Sequence, residues 1–390
     1  MKKLHINKLF LLLGIQQPKD LKVIANKLEV NIDDLRYHND NMIFPTGDLL
    51  YKILSFTGYS ELELKLRLGI IDSCIVNWIA NNPQVLLNEM GKNEIAATKQ
   101  EIDPVFQTNL GSLYQSDCLD VMRTMESESI DLIFADPPFN LGKSYQSGID
   151  DYLSEAEYLE WTESWLLECT RLLAPGGSLF IYNIPYWQTR IATILNKYLN
   201  FRHWIAIYMR GLIPVARKLN PSHYGLLYYI KGDKPKAFNQ QRIPMTTCRH
   251  CGGEAFDYGG KKKDLNDKGL SIADVWTDIH PVRHKKFKTR DANELPLKLL
   301  HRVISLSSNE GDRVFDPFGG SGTTYIVAEH LNRRWIGSEI GDLEVIINRL
   351  ENRDEEVARM KSFEKELNVL FTEQQRKLRK KHGFWLPETL

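Results

Sequence analysis

Four consecutive residues, Asp136-Pro137-Pro138-Phe139, combine hydrogen-bond acceptors, a stiff backbone and an aromatic ring. Two prolines in a row fix the chain and remove two N–H donors, so the carbonyls there are left to accept. Asp136 adds a carboxylate acceptor, and Phe139 adds a flat apolar face. Such a set suits the amino group of a nucleobase, whose two N–H bonds need acceptors and whose ring needs a stacking surface. A base in a duplex must leave the stack to reach it. Taken alone, the tetrapeptide also fits a rigid turn after a strand.

A second loop runs Phe315-Asp316-Pro317-Phe318-Gly319-Gly320-Ser321-Gly322-Thr323-Thr324. Glycines between a strand and a helix allow a tight turn and let backbone N–H groups approach a ligand at the helix N-terminus. The loop lacks the Lys of a phosphate-binding P-loop, which argues against a nucleoside triphosphate. Glu339 follows about 20 residues later at the end of the next strand, a placement suited to ribose hydroxyls.

The elements that must position these loops follow from periodicity. Ile130–Ala135 and Ser178–Asn183 are short apolar runs of the kind found in buried parallel strands. Leu113–Ser116, Phe201–Met209, Tyr224–Ile230, Arg313–Phe315 and Trp335–Ser338 read as further strands. Tyr158–Leu173, Asn293–Ser308, Thr323–Leu331 and Leu343–Arg353 read as helices. This alternation predicts an open α/β sheet, with ligands at the carboxyl ends of its strands. Residues 1–100 read as a helical accessory domain. Leu21–His38 could form a helix-turn-helix, with DNA reading and partner binding equally open. A linker is expected at Asn93–Asp103, and 355–381 reads as one charged helix.

Net charge is zero, but its distribution is uneven. Residues 101–200 hold 5 Lys/Arg against 15 Asp/Glu, and residues 201–302 hold 20 against 9. A concentrated basic region can neutralise phosphates even in a neutral protein. No apolar run is long enough to span a membrane, and the five cysteines fit a reducing compartment, so a cytoplasmic location is expected.

The ordered pair of loops resembles the amino-methyltransferases of bacterial restriction–modification systems. Asp136–Phe139 is similar to their catalytic motif, and the glycine loop to their S-adenosylmethionine (AdoMet) motif. With the catalytic loop first and a basic stretch between the two, the order resembles the beta group. The likeness covers roughly 110–350. It implies an AdoMet-dependent, Rossmann-like α/β methyltransferase sheet with circularly permuted motif order, an N-terminal helical domain and a basic insert. The implied division is 101–183 and 293–355 for the catalytic core, 184–292 for target recognition, and 356–390 for a charged C-terminal helix.

The resemblance also implies roles. Asp136 and the Pro137 carbonyl would hold the target amino group, stiffened by Pro138, with Phe139 stacking on the flipped base. Phe318, Gly319, Gly320 and Gly322, leading into Thr323, would line the methionine part of AdoMet. Asp316 would support that loop, Glu339 would bind the ribose, and Asp117 would meet the adenine. Asn293–Pro296 would close the methionine pocket. The expected activity is methylation of adenine N6 in double-stranded DNA. Cytosine N4 is the alternative base, and a non-catalytic DNA-binding regulator is the alternative class. Cytosine C5 chemistry needs a Pro-Cys nucleophile, and no such pair occurs. A cognate restriction endonuclease and a homodimer are expected partners. No metal is assigned, although Cys248 and Cys251 with His280 and His284 could make a zinc set. Arg249, Lys261–Lys263, Arg283, Lys285, Lys286, Lys288 and Arg290 are candidate DNA contacts.

Overall fold

A computed structural model describes residues 4, 6–90, 102–140, 153–209, 219–247, 253, 269–279, 294–365, 371–386 and 388. The chain divides into two compact units. The first holds the described part of 1–98 together with Asn140 and 153–162, the latter including the start of a long helix, and the second holds the rest.

The first unit is helical: α1 (Lys8–Leu12), α2 (Pro18–Leu28), α3 (Ile32–Asp40), α4 (Gly47–Thr57), α5 (Glu61–Leu68), α6 (Ser73–Asn81) and α7 (Pro83–Met90). Its helix stops follow local chemistry. Gly58 and Gly69 close α4 and α5 at φ 74° and 75°, the left-handed region that glycine enters without strain. Leu21, Ala25 and Leu28 of α2 meet Leu35 of α3 in a small core, and three residues join the two helices. Two short helices joined by a short turn are therefore present. The exposed face of α3, however, carries Asp33, Asp34 and Asp40 beside Tyr37, a charge unsuited to phosphate.

The second unit is built on a nine-stranded sheet. In chain order its elements begin with β1 (Phe106–Gln107), β2 (Gly111–Gln115), α8 (Cys118–Thr124), β3 (Ile130–Ala135), α9 (Glu155–Leu172), β4 (Leu173–Asn183) and α10 (Pro185–Leu195). Next come β5 (Asn200–Tyr208), β6 (His223–Ile230), β7 (Arg242–Ile243), β8 (Leu270–Ser271) and β9 (Val275–Trp276). The chain then forms α11 (Leu297–Ser307), β10 (Arg313–Asp316), α12 (Thr323–His330), β11 (Arg334–Glu339), α13 (Glu344–Glu351), α14 (Asp354–Lys365) and α15 (Glu373–Lys381). The sheet order is β1-β2-β11-β10-β3-β4-β6-β5-β9. Strands β2, β11, β10, β3 and β4 are parallel, and β6 turns antiparallel beside β4. The central strands are buried on both faces, which is why they read as continuous apolar runs.

Three expectations change. The recognition region expected from 184 onward begins with α10, β5 and β6, and it gives the main sheet three strands, β5, β6 and the edge strand β9. The antiparallel pairing of β6 with β4 explains this, since it buries Leu226–Ile230 in the main core. The stretch 355–381 is not one helix. It contains α14 and α15, and α14 buries Met360 in the main core. The α9-to-β4 connection is tighter than a Pro-Gly-Gly stop suggests. Helix passes into strand at Leu173, and the β3–β4 register jumps from Leu173 to Ser178, so 174–177 loop out. The expected linker at 93–103 falls largely outside the described residues.

Candidate functional site

Four neighbouring parallel strands, β2, β11, β10 and β3, end at one edge of the sheet. Each end carries a residue singled out by its chemistry. Asp117 follows β2, Glu339 ends β11, Asp316 ends β10 and Asp136 follows β3. Pairing of Phe315 with Ile133 sets the glycine loop and Asp136–Phe139 side by side. At the opposite end of these strands, Lys236 Nζ bridges Asp131 and Asp312 at 2.7 and 2.8 Å, fixing the β3–β10 register.

Around the first loop the structure adds an aromatic wall. The Phe139 ring lies 6.2 Å from Tyr182 and 5.9 Å from Tyr224, and those two rings are 5.0 Å apart. Trp187 Nε1 donates to the Phe139 carbonyl at 2.7 Å, fixing the backbone that carries the ring. Burial, the charge of Asp136 and Tyr224 all push the Tyr182 hydroxyl well above its usual range, so it remains a donor near that carboxylate. Tyr182 and Tyr224 escape the sequence reading, although the strand-end rule points to Tyr182, near the end of β4 next to β3.

The glycine loop is held from several sides. Asp316 is buried, and its carboxylate accepts from Phe318 N–H at 2.9 Å and from the Thr324 hydroxyl. Glu339 accepts from Gly320 N–H at 2.7 Å and from Gly341 N–H at 2.8 Å. Gly322 starts α12 at φ 77°, a conformation that favours glycine. Phe318 packs edge-on against Trp165 at 5.2 Å. Asp117 is the N-cap of α8, accepting from Leu119 N–H at 2.8 Å. It is thus a fixed cap at the strand end, half-buried, with acceptor capacity left for a ligand donor.

Gly319 meets a packing requirement of its own. A Cβ there would lie 2.6 Å from the Tyr325 hydroxyl, which is itself pinned to the carbonyls of Asp316 and Ser338 at 3.1 and 3.4 Å. Gly319→Ala is expected to cost about 1–3 kcal/mol. In a Tyr325→Phe background, where that oxygen is gone, the cost should shrink. Urea denaturation of the four-member cycle checks this, and strict additivity would count against the contact.

Arg349 on α13 also escapes the sequence reading. Its side chain is 7% exposed and donates to the Ser321 carbonyl and the Thr323 hydroxyl. Glu356 neutralises it at 2.7 Å, and Glu294, just before α11, lies 3.6 Å away. The clue was an arginine spaced with Ile346 and Leu350 on an apolar helix face.

Burial pushes the Asp316 carboxyl up to about 8. The charges of Asp136 and Glu339 add to this, against the lowering bonds from Thr324 and Phe318. A carboxyl raised on folding stabilises the protein fully below its unfolded pKa, near 3.8, and that contribution is lost as pH rises towards 8. Asp316→Asn should therefore flatten the decline of stability between about pH 4 and pH 8. Denaturation midpoints across that range test it, and an unchanged slope would count against it.

Cys248, Cys251, His280 and His284 lie outside the described residues. Among the described residues no group of three His, Cys, Asp or Glu could hold a metal ion.

A family model described as DNA methylase matches residues 130–347, more than half of the chain and both loops. The chain belongs to this family. It is 47% identical over 381 residues to the Type II methyltransferase M.BamHI of Bacillus amyloliquefaciens, covering 96% of this chain and 90% of that protein. It is 36% identical over 227 residues to the Type II methyltransferase M.HpaI of Haemophilus parainfluenzae, covering 58% of this chain and 68% of that one. Among solved structures, the PvuII DNA methyltransferase (cytosine-N4-specific) matches at 20% identity and a TM-score of 0.48, over 66% of this chain and 94% of that one. By its family and its Type II relatives the chain is a methyltransferase acting on DNA, built here as an α/β sheet unit and a unit of N-terminal helices.

Proposed function

We propose that this methylase transfers a methyl group from AdoMet to an exocyclic amino nitrogen of a base flipped out of double-stranded DNA, with adenine N6 the expected target. One observation carries the reading: the acceptor-rich Asp136–Pro137 turn and its aromatic wall stand beside the glycine loop at one sheet edge. The carboxylates of Asp136 and Glu339 suit a cationic cofactor. Gly320, Gly322 and Phe318 would frame its methionine portion, Glu339 its ribose and Asp117 its adenine.

AdoMet supplies a methyl group already activated by its sulfonium. The protein's task is to align an amino nitrogen with it, which is mainly positioning. The amino lone pair is delocalised into the base. Acceptors at Asp136 Oδ and the Pro137 carbonyl favour a nitrogen that pyramidalises as it attacks, and Asp136 then takes the released proton. Phe139, Tyr182 and Tyr224 hold the ring.

The Asp at the first loop position favours adenine, while the acceptor chemistry is shared with cytosine N4. Mass spectrometry of nucleosides from DNA methylated in vitro separates the two, and N4-methylcytosine would overturn the adenine reading. Unmethylated DNA with AdoMet still bound would favour the non-catalytic regulator. The loop order along the chain supports the circularly permuted beta-group arrangement. With β5, β6 and β9 in the sheet, target recognition is assigned to the rest of 231–292. The acidic face of α3 supports partner binding by the N-terminal helices. The Type II names of the relatives support a cognate endonuclease reading the same site. A homodimer completes the reading, and sedimentation tests it. Among the described residues no helix is long and apolar enough to cross a membrane.

A further inference from the structure

The charged C-terminal segment packs against part of the 231–292 region. Phe371 and Trp385 meet edge-to-face at 5.7 Å and join Met245 and Leu386 in a separate buried cluster, with Leu270 of β8 against it. Phe384 lies flat against Gly253, where a Cβ would come within 2.2 Å of its ring. Arg379 is buried under this cluster and donates twice to the Trp385 carbonyl, at 3.0 and 2.7 Å. The apolar side of 371–386 is therefore committed to the small β7–β8 sheet.

The outward side is basic. Helix α15 holds five Lys/Arg and one Glu. Arg379 is buried, and Arg376 is held by both oxygens of Glu388 at 3.0 and 2.9 Å. Lys377, Lys380 and Lys381 remain on the surface. Among the described residues Lys377 pairs with Glu373, in a contact where the side chains are 77% and 87% exposed, the kind that solvent screens to little value. Among the described residues no carboxylate lies within ion-pair distance of Lys380 or Lys381. Lys377 and Lys381 are one helical turn apart, about 6 Å along the axis. DNA presents a charge every ~3.4 Å along each strand, so neighbouring phosphates fall within reach of both.

We propose that α15 is part of the DNA-binding face, clamped to the β7–β8 sheet by Phe371, Phe384 and Trp385, and that Lys377, Lys380 and Lys381 contact backbone phosphates flanking the target site. The proposal rests on the reading that 231–292 addresses duplex DNA. Phosphate contacts carry register and affinity but no sequence information. The signature is thus a uniform loss, equal for cognate and unrelated duplexes.

The test uses the full-length protein and fluorescein-labelled duplexes, with anisotropy measured between 50 and 200 mM salt. Lys377→Gln/Lys380→Gln/Lys381→Gln should weaken binding equally on all sequences. It should reduce the slope of log affinity against log salt by about 3, about one per lost phosphate contact. Its melting temperature and AdoMet affinity should match the wild type. An unchanged slope and affinity overturns the proposal. A parallel Lys261→Gln/Lys262→Gln/Lys263→Gln variant separates the two levels. If only that variant loses binding, the region reads DNA without α15. If neither loses binding, the location of the DNA face at 231–292 fails and the proposal falls with it.

Discussion

Asp136→Ala is expected to lower the single-turnover rate of methyl transfer by about 10²–10³-fold, the usual loss when a group aimed at developing charge is removed. Fold and AdoMet binding should be largely kept. The side chain follows β3, and on the proposed mechanism its removal deletes an acceptor for one amino N–H and the site that takes the released proton. The Pro137 carbonyl survives, so the amino group would still be held by one acceptor. Asp136→Asn retains an acceptor oxygen but cannot take the proton, and should fall between the alanine variant and the wild type. A second readout is independent of turnover. The charge of Asp136 helps keep the Asp316 carboxyl high. Deleting it should move the Asp316-linked change in stability to lower pH. Rapid-quench measurement of tritiated methyl incorporation, with denaturation at several pH values, tests both. Near-wild-type transfer by Asp136→Ala would remove this carboxylate from the mechanism.

The parts of this site that were legible from sequence are those made of local chemistry. Apolar runs ending in Pro-Pro or Gly-Gly declare a buried strand and its loop within ten residues. Strand ends share one edge of a parallel sheet, so Asp136, Asp316, Glu339 and Asp117 could be placed together without coordinates. What stayed hidden depends on partners distant in the chain. Trp187 fixes Phe139 across 48 residues, and Arg349 reaches Ser321 across 28. The space a Cβ on Gly319 would fill is taken by the Tyr325 hydroxyl, on the following helix, so a glycine read only as a ligand contact also serves packing. The break before α15 was missed because the residues between the two charged helices, 366–372, include no Gly or Pro to mark a stop. Its consequence, Met360 in the main core and Trp385 against Met245, follows from apolar residues too sparse to form a pattern. Composition does not separate β5 and β6, interior strands of the sheet, from the chain that follows them.

Arg349→Met should both destabilise the protein and weaken AdoMet binding. The guanidinium is buried with two carboxylates, Glu294 and Glu356, whose side chains are 5% and 17% exposed. Removing one member of a buried ionic group leaves the others desolvated without compensation, at a cost of about 3–5 kcal/mol. Methionine fills similar volume, so most of that cost is electrostatic rather than a cavity. The same side chain links the glycine loop, at the Ser321 carbonyl and Thr323 hydroxyl, to the segment before α11, where Leu295 O accepts from Thr323 at 3.4 Å. Releasing it frees both walls proposed for the methionine pocket. KM for AdoMet should therefore rise about tenfold or more, the equivalent of at least 1.4 kcal/mol, while kcat at saturating AdoMet stays within a few-fold. Arg349→Lys keeps the charge but not the planar fork, and should recover part of the stability and little of the affinity. Adding Glu356→Gln to Arg349→Met should cost less than the sum of the two, because the stranded carboxylate is what makes the single change expensive. A fall in melting temperature with unaltered KM for AdoMet would assign Arg349 to the core alone. A parallel fall in affinity and stability, partly reversed in the double variant, would identify it as the residue that holds the cofactor loop in place.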